Sequence, residues 1–349
     1  MTKFIAGAAA LLLAAAPAGA QDAKGAETYT LAEKLKPGMQ IHHKLELKVT
    51  GKHVLPTPAK ENNEQSLDAN AVLQYPERIV AVDAEGMATK VMRHYGGARA
   101  RFRAGTNDEE RSLRESIRTM VGERTATGVV LWSPGGPLGG DERELVEDVL
   151  DCTRIPGLLP KNAVKVGDKW KIEPHIAQAL CVFEALISAE LEAKLDEVKQ
   201  GKAVIKIAGM AHGMSMGAEA KIRVEAVMAY DIAGAMVERL IWAQSDSRAA
   251  SPIAPQGVYQ ATITVDRDRS ESPKLTDAAV AGIKLDPLPE DKMLVFEGPK
   301  AQYRLFLNRG WHVTSVQPNV SVLRLMQGTE LIGQLSIAEV TESFKAQQV

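Results

Sequence analysis

The sequence predicts an α+β fold: a curved antiparallel sheet covered by helices on one face, followed by a small β-rich domain. Three observations predict it. Segments that alternate apolar and polar residues with period two recur between 39 and 103 and again between 189 and 267. Between them, over 106–183, the period shifts to that of a helix. A proline- and acid-rich stretch at 271–292 then separates these segments from a further run of short strands. Strands with one central helical insertion place the helices on a single face, and a curled sheet would leave an apolar hollow beneath them. The expected limits are therefore 27–270 for the sheet domain with its insertion at 106–183, 271–292 for a linker, and 293–349 for the β-rich domain.

Taken in order, the chain opens with Lys3, an apolar run from Phe4 to Ala16, and Pro17-Ala18-Gly19-Ala20. These are the charged, apolar and small-residue regions of a secretory signal, so residues 1–20 read as a signal peptide. The mature chain would start at Gln21 in the periplasm or exterior of a bacterium. No later stretch reaches the ~20 uninterrupted apolar residues of a bilayer-crossing helix, which predicts no membrane span.

In 39–50, Ile41, His43, Leu45, Leu47 and Val49 share one side of a strand and His42, Lys44, Glu46 and Lys48 the other. Strands follow at 70–75, 78–83, 87–95 and 98–103, with Asp83–Gly86 and Gly96-Gly97 as turns. Thr106-Asn-Asp-Glu109 then matches a capping box, and Leu113, Ile117, Met120 and Val121 fall on one helical stripe. A second helix is expected from Asp141, carrying Leu145 and Val149, and a third from Pro174, carrying Ile176, Leu180 and Phe183. The glycine- and proline-rich 133–140 has the chemistry of a flap over the hollow. Strands return at 189–195, 203–208, 219–230, 235–245 and 257–267. Beyond the linker they are expected at 293–297, 303–307, 311–315, 320–326 and 331–340. The β-rich domain is near the lower size limit for independent folding, so docking onto the first is expected.

Composition narrows the function. A net charge of −2 with mixed signs throughout gives no electrostatic footprint for nucleic acid, and an aromatic content of 5% argues against stacking platforms. Export would carry Cys152 and Cys181 into an oxidising compartment, where they are candidates for a disulfide, with two buried thiols as the alternative.

Segment 209–218, GMAHGMSMGA, overlays two signatures. Gly213-Met-Ser215-Met-Gly217 spells the G-x-S-x-G of a serine-hydrolase elbow, but alternation from Lys221 to Tyr230 predicts a strand where the elbow needs a helix. Met210, His212, Met214 and Met216 are soft ligands suited to Cu(I). Same-face positions on a strand lie ~6.8 Å apart, however, so the segment would have to fold back on itself to chelate. A glycine-containing hairpin whose methionines fill an irregular apolar surface is the favoured alternative. Arg99, Arg101 and Arg103 share a strand face and are candidates for anion binding, set against a solvated face.

The succession GPLGGDERELVEDVL (136–150), IPGLLPKNAVKVGDKWKI (155–172), YDIAGAMVERL (230–240) and YRLFLNRGWHV (303–313) resembles a group of exported bacterial proteins of planctomycete type. The first domain is similar in layout to the periplasmic lipoprotein-carrier half-barrel, and the C-terminal piece to PsbP-like domains. The resemblance implies a half-barrel and brings no catalytic residue.

The resulting expectation is a non-enzymatic periplasmic binding protein without cofactor. Its partner would be an apolar or lipid-like small molecule in a hollow lined by Leu113, Ile117, Met120, Leu145 and Val149, with Leu45 and Leu47 across from them, or another envelope protein. The alternative is a structural or interaction module with a filled core; copper binding and serine hydrolysis rank below both.

Overall fold

Where apolar and polar residues alternate, one face of a strand can be buried and the other left to water. The computed structural model, which describes residues 27–55, 63–299 and 302–338, carries this from segment to segment until thirteen strands form one antiparallel sheet. The expected signal peptide and the end of the last expected strand lie outside the described residues.

Strands β1 (Gln40–Leu55) and β2 (Asn63–Val82) pair along their length. The two strands expected at 70–75 and 78–83 are thus one, and β2 supports two branches. Its C-terminal half pairs β3 (Ala88–His94) and its N-terminal half pairs β4 (Gly97–Ala104). β5 (Asn107–Ser112) lies against β4, β6 (Thr119–Arg124) against β3, and β7 (Val129–Trp132) against β6. After β8 (Leu138–Gly139), α1 (Gly140–Glu147), a 3-10 segment at Cys152–Leu158, β9 (Lys169–Lys171) and α2 (Pro174–Leu180), a five-stranded meander follows. Its members are β10 (Ala185–Lys199), β11 (Lys202–Ser215), β12 (Ala218–Asp231), β13 (Met236–Arg248) and β14 (Gln256–Asp268). β14 then pairs β1 from His42 opposite Asp268 to Val54 opposite Gln256, which joins the meander to the first strands.

The helix-covered α+β expectation is overturned. Strand makes up 58% of the structure and helix 12%, so the molecule is mostly β, with three short helices among the described residues. Helices do begin at Gly140 and Pro174, close to where they are expected, but each spans only about two turns. The helix expected after Thr106 is absent. Gly105 takes φ +58° and turns the chain from β4 into β5, whose Asp108 receives the Arg101 guanidinium. The helical spacing of Leu113, Ile117, Met120 and Val121 arises instead from an extended segment broken by one 3-10 turn at Glu115–Ile117. Met120 and Val121, adjacent on β6, point to opposite faces and enter different clusters. Met120 joins the main core, and Val121 packs with Met92, Trp132 and Leu275.

The inner face of the large sheet carries Leu191, Ala193 and Leu195 of β10, Ile205 and Ile207 of β11, Ile222, Val224, Ala226 and Met228 of β12, Leu240 and Trp242 of β13 and Val265 of β14, all buried. Segment 113–183 packs against them with Leu138, Leu145, Val146, Ile155, Leu158, Ile176 and Leu180, in one contiguous core. An N-terminal arm closes one end: Tyr29 bridges Val164, and Tyr230 Oη donates to the Ala32 carbonyl at 2.9 Å. The 271–292 segment lies against the sheet, with Leu275 fully buried and its carbonyl accepting from Arg78 and Gln40.

C-terminal strands β15 (Leu294–Glu297) and β16 (Arg304–Leu307) form a small sheet with β8, and β17 (Trp311–Gln317), β18 (Val320–Gln327) and β19 (Glu330–Ala338) form another. Leu294, Leu307 and Leu323 enter the main core, and Arg309 donates to the Glu147 carboxylate of α1 at 2.6 and 2.7 Å.

Candidate functional site

Polar residues at inward positions are the first place to look for chemistry, because burying them costs free energy that a structure must offset. On β1 His43 points inward between Ile41 and Leu45 and is fully buried. Across the sheet Tyr75 and Glu77 of β2, Arg93 of β3 and Arg267 of β14 point the same way. Asp151 and Arg154 reach them from the 3-10 segment, and Glu33 from the N-terminal arm.

The charges balance as three cations against three carboxylates, with His43 neutral. Arg93 Nε donates to Glu77 at 2.8 Å, and Arg267 forms a two-pronged pair with Glu33 at 2.7 and 2.9 Å. Glu33 also accepts the Val237 amide at 3.0 Å, which ties the arm to β13. His43 stacks on Tyr75 with ring centroids 5.0 Å apart, and the Arg93 guanidinium lies over the same Tyr75 ring.

Burial governs the ionisation here. It pushes the His43 imidazole below its ordinary range, only partly offset by Glu77 at 3.5 Å. Burial would raise Glu77, but the Arg93 charge, the proximity of His43 and the Arg93 hydrogen bond outweigh it and hold the carboxyl at about 2. Burial lifts Tyr95 and the Cys152 thiol to about 12, so neither is a nucleophile at neutral pH. Among the described residues, both His43 ring nitrogens, one Arg93 Nη and Tyr95 Oη have no hydrogen-bond partner, which fits buried water among them. Every charged member is at most 5% exposed, and the cluster ties arm, sheet and 3-10 segment together.

The residues expected to line a hollow are instead part of the packing. Leu113, Ile117, Met120 and Leu145 are at most 6% exposed and belong to the main core, Leu45 is buried with them, and Val149 and Leu47 pack against it. The expected flap is pinned. Ser133 Oγ donates to the Thr119 carbonyl at 2.8 Å, Leu138 is buried, and β8 pairs with β15.

In 209–218, Ser215 ends β11, and Met216 and Gly217, at φ +51° and +72°, make a two-residue turn straight into β12. A strand follows where an elbow requires a helix. Met210, His212 and Met214 occupy successive positions on the outer face of β11, while the Met216 sulfur accepts from Arg248 at 2.9 Å. The structure does not converge these four, and among the described residues no three His, Cys, Asp or Glu side chains group as metal ligands. The disulfide expectation is corrected. Cys152 and Cys181 are both free and buried, the first beside Tyr75 and Arg93 and the second beside Asp246. Burial raises Asp246 to about 6 and Cys181 to about 12.

Arg99, Arg101 and Arg103 share the outer face of β4 as expected from their spacing. Arg101 and Arg103 both reach Asp108, at 2.7 and 3.5 Å. A groove of ≈ 450 Å³ opens beside Arg99 and Arg101. A second, of ≈ 360 Å³, lies between the 157–162 loop and β9, with Trp170 in its wall.

The sequence reading missed the buried cluster. The signal was present, since His43, Glu77 and Arg267 interrupt inward rows of apolar residues, but nothing in one strand says which rows face each other.

No family model and no curated protein matches the chain. Among solved structures, it is similar to a chain from "Lipid-protein interactions in lipovitellin" at 7% identity and a TM-score of 0.38, covering 70% of this chain and 27% of that one. It is also similar to an outer membrane channel from Pseudomonas putida F1, at 10% identity and TM-score 0.23, over 68% and 98% of the two chains. A third likeness is to DynF from the dynemicin biosynthesis pathway of Micromonospora chersina, at 7% identity and TM-score 0.21, over 72% and 90%. The chain spans about a quarter of the lipovitellin chain, and none of the three likenesses is close enough to assign a shared fold or function.

Proposed function

We propose that this is an exported, non-enzymatic protein of the bacterial envelope that works by binding another envelope protein through its C-terminal strands. One observation carries the reading. Phe306, Val313, Val316, Leu331, Ile332 and Leu335 are large apolar side chains exposed within strands β16 to β19, Phe306, Val316 and Ile332 each by more than half. They are six of the fourteen exposed large apolar side chains among the described residues and fall within thirty positions of one another, and such a grouping favours an interaction surface over a solvated one. The packed interior supports the same reading, since the side chains expected around an apolar ligand already contact one another. Carriage of a lipid-like molecule would require segment 113–183 to leave the sheet, and it ranks second.

A photo-crosslinking residue placed at Ile332 in the full chain, expressed in a bacterial envelope, tests this. The expected result is an adduct of discrete higher mass at 332 and none from the same residue at Lys221, on the outer face of β12. Equal labelling at both positions, or none at 332, overturns the proposal. A native mass spectrum of the purified chain gives the second arm: a co-purifying lipid-sized mass would transfer the weight to carriage.

A further inference from the structure

The outer-face groove between β2, β4 and β5 is independent of the C-terminal strands, and its walls are set by register. On one rung Arg99 of β4 lies between Val72 of β2 and Ser112 of β5; on the next, Arg101 lies between Asn70 and Glu110. Together with Ala100 and Arg111 these residues line the ≈ 450 Å³ groove. Its arginines differ in one respect. Arg101 is held by Asp108, and Arg111 by Glu144 at 2.6 Å with Glu109 and Asp141 nearby. Arg99 is exposed and, among the described residues, has no carboxylate within 4.0 Å. Lys48 of β1, opposite Asn70, is a second cation one strand away and also lacks a carboxylate within that distance.

The free guanidinium is thus flanked by a hydroxyl and an apolar wall rather than by an acid. Glu110 is the one carboxylate of the lining, and it stands opposite the Arg101 charge. A planar five-donor fork with an open face is suited to a phosphate's oxygens, to which the Ser112 hydroxyl can add a donor. We propose that this groove binds a phosphate group, free or on a lipid headgroup, with Arg99 as the principal donor, Ser112 as a second donor and Lys48 as electrostatic support.

The test uses the full chain with two probes: inorganic phosphate by titration calorimetry, and vesicles of phosphatidylglycerol against phosphatidylcholine by flotation, both at about 0.1 M salt. Arg99→Gln keeps a polar side chain at an exposed strand position, and an unchanged melting temperature confirms its fold. Saturable phosphate binding that weakens at least about tenfold in Arg99→Gln supports the proposal, that being the scale of one charge-assisted hydrogen bond. Binding to phosphate and to phosphatidylglycerol vesicles, both lost in Arg99→Gln, supports a headgroup ligand; binding to phosphate alone supports a free one. Absence of binding to both probes, or binding that Arg99→Gln leaves unchanged, overturns it. Lys221→Gln, away from the groove on β12, should leave phosphate binding as it is.

Discussion

The meander β10–β14 and the C-terminal meander β17–β19 are built from the same local parts and end up in different surroundings. Both alternate, both turn tightly, and both pair antiparallel. In the first, the inner face is covered along most of its length by segment 113–183, so that Ile205, Val224, Leu240 and Trp242 are inaccessible. In the second, Leu323 and Ser321 of the central strand are buried, while Val313 and Val316 of β17 and Leu331, Ile332 and Leu335 of β19 remain exposed. Alternation makes a sheet, and a separate element has to cover it. Where cover exists the apolar face is stability; where it is incomplete the face is available surface.

The largest expected effect tests what holds the covered region in place. Arg267→Met should cost about 3–5 kcal/mol in urea denaturation, because it leaves Glu33 buried without its partner. A loss below about 1 kcal/mol would mean that the arm and its carboxylate can move to water at little cost, and the tie between arm and sheet would have to be abandoned.

Next come paired truncations that sharpen the contrast directly. Ile205→Ala in β11 should lose about 2–5 kcal/mol through the cavity it leaves. Ile332→Ala in β19 should stay within about 0.5 kcal/mol, since that side chain is already more than half exposed. Similar losses at both sites would show that something covers β19 as fully as β11. Gly201 at φ +76° and Gly328 at φ +59° have nothing within 4 Å of an added Cβ. Alanine at either should therefore cost the same about 1–2 kcal/mol, a backbone penalty indifferent to cover.

Acid should distinguish the regions too. His43 titrates below the 6.5 of a free imidazole, so the unfolded chain binds its proton first, and the stabilisation present at neutral pH fades as pH falls below about 6.5. Glu77, at about 2 against 4.5 when free, adds a second loss as pH falls from about 4.5 towards 2. Melting temperatures across pH 7 to 4 should drop for the native chain and drop less steeply above pH 4.5 in His43→Gln, where burial of His53, His94, His175 and His312 leaves a residual slope; an unchanged upper slope in that variant would rule His43 out as a source. The smallest effect belongs to the outer face of β11. Met210→Leu combined with Met214→Leu should move stability by less than about 0.5 kcal/mol and leave copper uptake at the level of the parent chain.

The strands were legible because their signal is local. Val198 to Ala203, with Gln200-Gly201 at the turn, and the alternation from Ala218 to Tyr230 each state a hairpin or a strand within a dozen residues. The stripe Leu113, Ile117, Met120 and Val121 misled for the same reason: residues with helical spacing also arise when an extended segment is interrupted by one turn and its two sides are buried by different partners. Arg99 was legible as part of a row, but its lack of a carboxylate depends on which strand β4 pairs with.

The sequence by itself determined that this chain would be dominated by antiparallel strands on both sides of its middle, because burying one side chain in two is written residue by residue. It also placed helix starts near Asp141 and Pro174, since a capping position or a leading proline acts over a single turn, but not how short those helices are. The tertiary structure decided what fills the space under the sheet, and it decided that Glu33 would meet Arg267 and Glu77 would meet Arg93. Those choices depend on pairing between residues as many as 234 positions apart, where register and packing volume settle the outcome and local pattern has no say.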